Sequence, residues 1–216
     1  MAKQPYLIGI AGPSCSGKSE VSRRLAVALQ ASSLSLDSYY RDLSHLPLEE
    51  RAKVNFDSPE SMDESLLVAQ MRQLASGTAI DKPVYDFARH TLSGAVDHVP
   101  AADYVVVEGL FTLHWPEVRS LLHASVYIAA SHEVCLERRL ERDVRDRGRT
   151  PEYVMAQYRD TVRPMCDRYI RPSEKHAGLV LTGTNYLDQS VHCIIALIRS
   201  NPATGTMGRS AMPSYV

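Results

Sequence analysis

The chain lacks the features that would direct it to a membrane, out of the cell or onto nucleic acid. Its longest apolar stretches, residues 6–12 and 193–198, fall far short of the ~20 residues a membrane-spanning helix requires. One lysine but no apolar segment of signal-peptide length follows Met1, so no secretory leader is expected. There is no basic excess: 24 Lys and Arg against 25 Asp and Glu leave a formal charge of −1, which argues against bulk binding to nucleic acid or an anionic membrane. Cys15, Cys135, Cys166 and Cys193 form no Cys-x-x-Cys pair and lie at wide, irregular spacings. Reduced thiols in a cytoplasmic protein are therefore expected, rather than disulfides or a metal cluster. There is no internal repeat, and no Asn-Lys-x-Asp segment of the kind a guanine-reading switch would need.

What is present suits one α/β domain, since 216 residues, 44% of them hydrophobic, can bury a core without metals or cross-links. Short apolar runs alternate with helical patterns, the signature of βαβ units and a mostly parallel sheet. Runs at Tyr6–Ala11, Leu34–Leu36 ending at Asp37, Val105–Val107 closed by Glu108-Gly109, Val126–Ala129 and Leu179–Leu181 predict five strands. Val21, Leu25 and Leu29 predict one amphipathic helix, and Asp63 to about Ala75 predicts another. Residues 79–103 break the rhythm. Val84, Tyr85 and Phe87, then Thr91-Leu92-Ser93-Gly94, then Val96 and Val99 read as two extended pieces joined by a turn, an inserted β-hairpin over the sheet's edge. Residues 1–200 are expected to form the domain and 201–216, rich in Gly, Ser, Thr and Pro, a flexible tail.

Gly12-Pro13-Ser14-Cys15-Ser16-Gly17-Lys18-Ser19 fits G-x-x-x-x-G-K-[ST] between a predicted strand and a predicted helix, the context the phosphate loop requires. Glycines let backbone N–H groups converge on phosphate oxygens, and the helix N-terminus adds its positive dipole end. Lys18 is expected to reach the β- and γ-phosphates and the Ser19 hydroxyl to coordinate Mg²⁺. Cys15 reads as a small residue tolerated in the loop. In open α/β sheets ligands bind beyond the carboxyl ends of the strands, where Asp37 and Glu108 stand. A carboxylate there can take the proton of an attacking hydroxyl or hold metal; Asp37 is expected as the base, Glu108 as the metal-side acid.

Residues 131–149 carry six arginines. On a helical wheel Leu136, Leu140 and Val144 share one face, with Arg138, Arg142, Arg145 and Arg149 opposite. Gly148 breaks this helix, and Thr150-Pro151 caps and starts the next. The expected product is an arginine-tipped helical lid over residues 138–152 that neutralises charge on a transferring phosphoryl group.

Taken together, these residues resemble the uridine kinase (uridine-cytidine kinase) family from about Tyr6 to Leu181. The specific segments are Asp37-Ser38-Tyr39-Tyr40-Arg41, His45–Arg51, Asn55-Phe56-Asp57 with Pro59 and Asp63, Pro83-Val84-Tyr85-Asp86-Phe87 with His90, Glu108-Gly109, Arg139–Arg149 and Gln157-Tyr158. The resemblance implies a phosphate-loop NTPase-type fold: a parallel five-stranded sheet flanked by helices, with the hairpin and lid added. It implies transfer of the ATP γ-phosphate to the 5′-hydroxyl of uridine or cytidine in pyrimidine salvage, with Mg²⁺, in a homo-oligomer. On that basis Asp37, Lys18 and Arg142 would be catalytic, and Ser19, Asp37 and Glu108 the metal side. Gly12, Ser14, Ser16, Gly17, Lys18, Ser19, Arg142, Arg147 and Arg149 would bind ATP. Asp37 would face the 5′-hydroxyl, Tyr40 and Phe56 would wall the nucleoside, and Asp57 and Arg139 would contact the ribose. Tyr85 and His90 would read the base edge, with Gln157 nearby. The resemblance favours Arg139 and Arg147 over Arg138 and Arg145. It departs at Pro13, Cys15, Thr91-Leu92 and His176-Ala177-Gly178. A related acceptor, as in phosphoribulokinase-like or pantothenate-kinase-like enzymes or with nicotinamide riboside, keeps the same fold. A sugar phosphate would need a basic pocket at Arg41 and Arg51. A slowly hydrolysing switch module is the reading from another class.

Overall fold

The first strand, β1 (Tyr6–Ala11), is apolar almost throughout, and such a run is stable only with both of its faces covered; all six residues are buried. The computed structural model, which describes residues 4–51 and 53–201, supplies that cover from both sides. In chain order, β1 is followed by α1 (Lys18–Leu29), β2 (Ser32–Ser35), the helical turn α2 (Leu48–Arg51) and α3 (Glu64–Ala75). Then come β3 (Ile80–Asp86), β4 (Thr91–Val99), β5 (Tyr104–Glu108), the short α4 (Pro116–Ser120), β6 (Ala124–Ala129) and α5 (His132–Arg147). The chain ends with α6 (Pro151–Gln157), α7 (Arg163–Met165), β7 (Leu179–Thr182) and α8 (Leu187–Ser200).

Five strands form one parallel sheet in the order β2-β5-β1-β6-β7. The strand period of two then divides each apolar run between two cores. Leu7, Leu34, Val105, Val107 and Tyr127 pack with Leu67, Met71 and Leu74 of α3 on one face. Ile8, Ile10, Val106, Val126 and Ile128 pack with Val21 and Leu25 of α1 and Ile194 and Ile198 of α8 on the other. In register Ile10 and Ser35 both lie opposite Glu108. The carboxyl ends of β1, β2 and β5 thus share one edge, where a ligand would meet them.

Three expectations need correction. The second apolar run ends as a strand at Ser35; Leu36–Tyr39 is a 3-10 turn in which Ser35 Oγ accepts from Asp37 N, so Asp37 is on a turn beyond the strand. The hairpin's turn is at 87–90 rather than 91–94, with Asp86 opposite Thr91 and Tyr85 opposite Leu92. Asp86 Oδ1 accepts from Ala88 N and Arg89 N at 2.9 and 3.0 Å, and His90 takes a left-handed φ of 51°, which closes the chain early and leaves Gly94 inside β4. Third, the buried stripe of α5 is Cys135, Arg139 and Asp143, while Val144 is exposed. A face that packs on other charged groups buries paired arginine and aspartate, which a wheel of apolar residues misses.

The ends of the lid helices follow their caps. Gly148 closes α5 at φ 63°, and Thr150 accepts from Tyr153 N ahead of Pro151. Of the expected tail, residues 202–216 lie outside the described residues; Asn201 is tied down, its carbonyl accepting from Tyr6 OH at 3.0 Å and its amide donating to His123 O at 3.2 Å. Among the described residues, no helix is long and apolar enough to cross a membrane.

His123 closes the opposite edge of the sheet. Its Nδ1 accepts from Leu7 N at 3.0 Å, and its ring stacks on Tyr6 at 4.9 Å. An accepting nitrogen must be unprotonated, and burial holds the imidazole below its usual value. The unfolded chain therefore takes up this proton first, so the stability it contributes is complete above pH ~6.5 and is lost as pH falls toward the depressed folded value. His123→Phe should cost ~1–3 kcal/mol by orphaning the Leu7 N–H and should flatten this acid limb. Urea midpoints at pH 7.5 and 5.5 for the two proteins measure both effects; an unchanged slope would remove His123 as the source.

Candidate active site

The loop from Gly12 to Gly17 cannot be built from ordinary backbone. Gly12 and Gly17 have φ of 152° and 101°, and a Cβ on Gly12 would stand 2.5 Å from Ile128 O. Cys15, expected only to be small, also takes a left-handed φ of 65°. Gly17 precedes α1 without a side-chain cap, so the first N–H groups of the helix face the loop's hollow. Lys18 lies along it, with Nζ 3.5 Å from Pro13 O.

Beyond the loop opens a cleft of about 930 Å³, lined from Ser14 through Lys18 and Ser19 to Asp37, Tyr40, Phe56, Asp57, Tyr85 and His90. That is near the upper end of small-molecule pockets, and its two ends differ in chemistry. At the loop end, Ser19 Oγ donates to Glu108 Oε2 at 3.2 Å and Ser35 Oγ to Glu108 Oε1 at 2.9 Å. Ser19, Glu108 and Asp37 make a hard oxygen set of the kind that holds Mg²⁺ through one or two carboxylates, waters and substrate phosphates. Among the described residues no cluster of three His, Cys, Asp or Glu side chains forms a protein-only metal cage. Asp37 opens onto the cleft but sits deep in it. Desolvation and the negative charge of Glu108 push its carboxyl up, against the pull of Lys18, Arg147 and Arg142.

The far end is aromatic. Tyr40 meets Phe56 edge-on at 5.5 Å and Tyr85 at 5.2 Å, and Phe56 stacks on His90 at 4.9 Å and 17°. Burial and the charge of Arg149 hold His90 below the usual imidazole value. Tyr85 OH is buried and has no hydrogen-bond partner among the described residues. Asp57 is buried at the junction of the two ends; burial pushes its carboxyl up, opposed by Arg139, Arg142 and Arg149.

Every expected cleft residue except Gly12, Ser16 and Glu108 lines the cavity directly; those three stand behind it in the loop and strand edge. Three residues there escaped the sequence reading. Phe87, over half exposed, lines the aromatic end and meets Tyr85 at 5.3 Å; the turn set by Asp86 was the signal. Arg138 donates to Cys15 O, Ser16 O and Gly183 O at 3.4, 3.3 and 3.0 Å, bracing the loop. Arg138 and Arg139 both line the cleft, so the arginine face of the helical wheel and the resemblance each point to a residue found there. Asp143, wholly buried among the arginines, had no local signal at all. Arg145 is exposed, pairs with Asp146 and Glu141, and is absent from the cleft lining.

Arg139 joins the two ends of the cleft, donating to Ser14 Oγ and Gln157 Oε1 at 3.0 Å each. Arg149 reaches the same Gln157 oxygen at 3.1 Å. One wall of the cleft thus carries guanidinium donors and the other aromatic faces, with Asp37 between them.

A sequence model of the Phosphoribulokinase / Uridine kinase family matches residues 7–188. A uridine kinase of Aliivibrio fischeri (strain MJ11) is 41% identical over 182 residues, covering 81% of this chain and 85% of that protein. A uridine kinase of Anoxybacillus flavithermus is 36% identical over 203 residues, covering 93% and 96%. Phosphoribulokinase from Rhodobacter spheroides superposes with a TM-score of 0.61 at 14% identity, over 85% of this chain and 74% of that one, a likeness of fold.

Proposed function

Because the chain belongs to the Phosphoribulokinase / Uridine kinase family, we propose that it is a pyrimidine ribonucleoside kinase, transferring the ATP γ-phosphate to the 5′-hydroxyl of uridine or cytidine. The observation that carries this reading is the two-ended cleft, phosphate loop and arginines at one end and stacked aromatics with a buried carboxylate at the other. We assign the triphosphate to Gly12–Ser19, Arg142, Arg147 and Arg149, and the nucleoside to Tyr40, Phe56, Asp57, Tyr85, His90, Arg139 and Gln157. Phe87 joins the base-side wall.

Asp37 takes the proton of the 5′-hydroxyl as its oxygen bonds to the γ-phosphorus and the bond to the β–γ bridging oxygen breaks, releasing ADP. Its raised proton affinity, from burial and Glu108, suits a base that must hold that proton. Lys18 and Arg142 neutralise charge on the transferring group. Ser19, Asp37 and Glu108 would hold Mg²⁺, which would supply charge neutralisation for the phosphates. The Tyr85 hydroxyl, with no hydrogen-bond partner among the described residues, has both a donor and an acceptor for a pyrimidine edge. The cytoplasm as location, a salvage role and a homo-oligomeric form complete the proposal.

The arginines that a sugar-phosphate acceptor would need are engaged elsewhere, which favours a nucleoside. Arg41 donates to Glu60 O, and Arg51 to Leu46 O, Ser44 O and Arg89 O. Single-turnover transfer from ATP to a panel of acceptors tests the reading: uridine and cytidine should react well ahead of ribulose 5-phosphate, pantothenate and nicotinamide riboside, and parity would refute it.

A carboxylate accepts hydrogen bonds from both vicinal ribose hydroxyls. Asp57→Ala should therefore raise the nucleoside KM by roughly 10- to 100-fold, the cost of about 1.5–3 kcal/mol for charge-assisted bonds, with the ATP KM little changed. Uridine and 2′,3′-dideoxyuridine should then bind the variant alike. A variant that still favours the ribonucleoside as strongly as the unsubstituted protein would remove Asp57 from the ribose.

A further inference from the structure

Four guanidiniums of the lid converge on one carboxylate. Asp143, with no exposed side-chain surface, takes Arg142 Nη2 and Nε at 2.8 Å each, Arg149 Nη1 at 3.1 Å, Arg147 Nη1 at 3.4 Å and Arg139 Nε at 3.7 Å. A buried charge persists only when it is paired. Here one negative charge is set against four positive ones, and all four arginines line the cleft. The hydrogen bond and charge of Arg142 help hold the Asp143 carboxyl below the usual carboxylate value despite burial. Arg147 is held below its own usual value by burial and by the charge of Arg142, the mark of like charges crowded together.

The backbone of the same residue shapes the lid. Asp143 O accepts from Gly148 N and from Arg149 N, so α5 ends on it and the chain folds back to bring Arg147 and Arg149 beside Arg142. A guanidinium has five N–H donors; the Asp143 carboxylate takes two from Arg142 and one from Arg149, while Arg147 and Arg139 are held to it by charge at 3.4 and 3.7 Å. The remainder stay available to a second anion, and two of the groups are fixed further by Gln157 and Ser14.

We propose that Asp143 is the positioning residue of the lid: its carboxylate gathers Arg139, Arg142, Arg147 and Arg149 into a preassembled polyphosphate receptor, offsetting their mutual repulsion before the nucleotide arrives. This rests on the assignment of that end of the cleft to the triphosphate. Asp143 touches no substrate; it acts through the arginines, whose placement to within an ångström decides how well they meet a phosphoryl group.

The test is Asp143→Asn, similar in size, uncharged and bearing an NH₂ toward four donors. Inorganic tripolyphosphate serves as the probe, with calorimetric affinity compared in the full-length proteins, and ATP kinetics follow. The variant should bind tripolyphosphate about tenfold or more weakly, with a higher ATP KM as well as a lower kcat. A residue with a merely structural role would lower the active fraction and leave KM unchanged. A folded variant that binds tripolyphosphate as tightly as the unsubstituted protein, or more tightly, overturns the proposal, the latter because Asp143 would then compete for the arginines instead of arranging them. Should Asp143→Asn not fold, Asp143→Glu keeps the charge and moves it by one methylene; it should still weaken binding several-fold, and full affinity would overturn the proposal equally. If the protein phosphorylates no nucleoside yet its tripolyphosphate affinity depends on Asp143, the functional reading falls and this one stands.

Discussion

Asp37→Asn should lower the rate of phosphoryl transfer about 10²- to 10⁴-fold, the usual contribution of a positioned general base, while ATP still binds. The turn that holds the residue survives the change, because Ser35 Oγ bonds the backbone N–H of Asp37 and not its side chain. What is lost is a carboxylate that lines the cleft together with Lys18 and the aromatic residues. Removing a negative charge beside Glu108 also relieves like-charge repulsion that pushes the Asp37 carboxyl up. Affinity for ATP measured without Mg²⁺ should accordingly hold or improve slightly. Single-turnover transfer measured beside equilibrium ATP binding separates the two quantities. Unchanged transfer would dismiss Asp37 as the base, and a matched loss of ATP binding would make it a metal ligand first.

Gly183→Ala should be the most damaging glycine-to-alanine change among the described residues. A Cβ at Gly183 would stand 2.0 Å from Ser16 O and 3.3 Å from Ala129 O. Both are backbone atoms, so no side chain can rotate away and the phosphate loop itself must move. Gly183 N is also bonded to Ala129 O at 2.7 Å and Gly183 O to Arg138 at 3.0 Å, which fixes the glycine from both sides. Overpacking of this kind costs ~1–3 kcal/mol or more, and a displacement of ~1 Å in the loop can cost about 10²-fold in ATP turnover. Gly77→Ala is the control. Unlike Gly183, it has a left-handed φ, of 80°, with open space around its Cβ position, so only the backbone strain of ~1–2 kcal/mol applies. Urea midpoints and the ATP KM of both variants decide the matter; a loss at Gly183 no larger than at Gly77 would show that the loop absorbs the clash without cost.

Much of the site was legible in one dimension because its backbone chemistry is local. A glycine-rich octet between an apolar run and an amphipathic helix can bend in few ways, and Gly12–Ser19 bends in the way a phosphate requires. Strand ends are equally readable: Glu108 closes β5 as its position after three valines suggests, and Thr150-Pro151 and Gly148 mark the lid by cap chemistry alone. Family-like segments carried Tyr40, Phe56, Asp57, Tyr85 and His90 into one cleft, although no local rule joins residues 40 and 90. Periodicity failed where burial is polar. On α5 an apolar wheel chose Val144 for the core, whereas the helix buries Arg139 and Asp143.

The sequence by itself therefore determined the strands, the phosphate loop and the lid caps, since each depends on φ preferences, caps and apolar period within a few residues, while the membership of the cleft was legible only through the family resemblance. The tertiary structure alone decided that Gly183 would press on Ser16, that Arg138 would tie the two together and that Asp143 would face four arginines. The physical reason is the sheet order. With β6 between β1 and β7, the turns after β1, β6 and β7 meet at one edge, and α5 emerges from the middle strand to lay its charged face across them. Contacts between groups up to 167 residues apart, such as Ser16 and Gly183, arise from that neighbourhood and from no pattern along the chain.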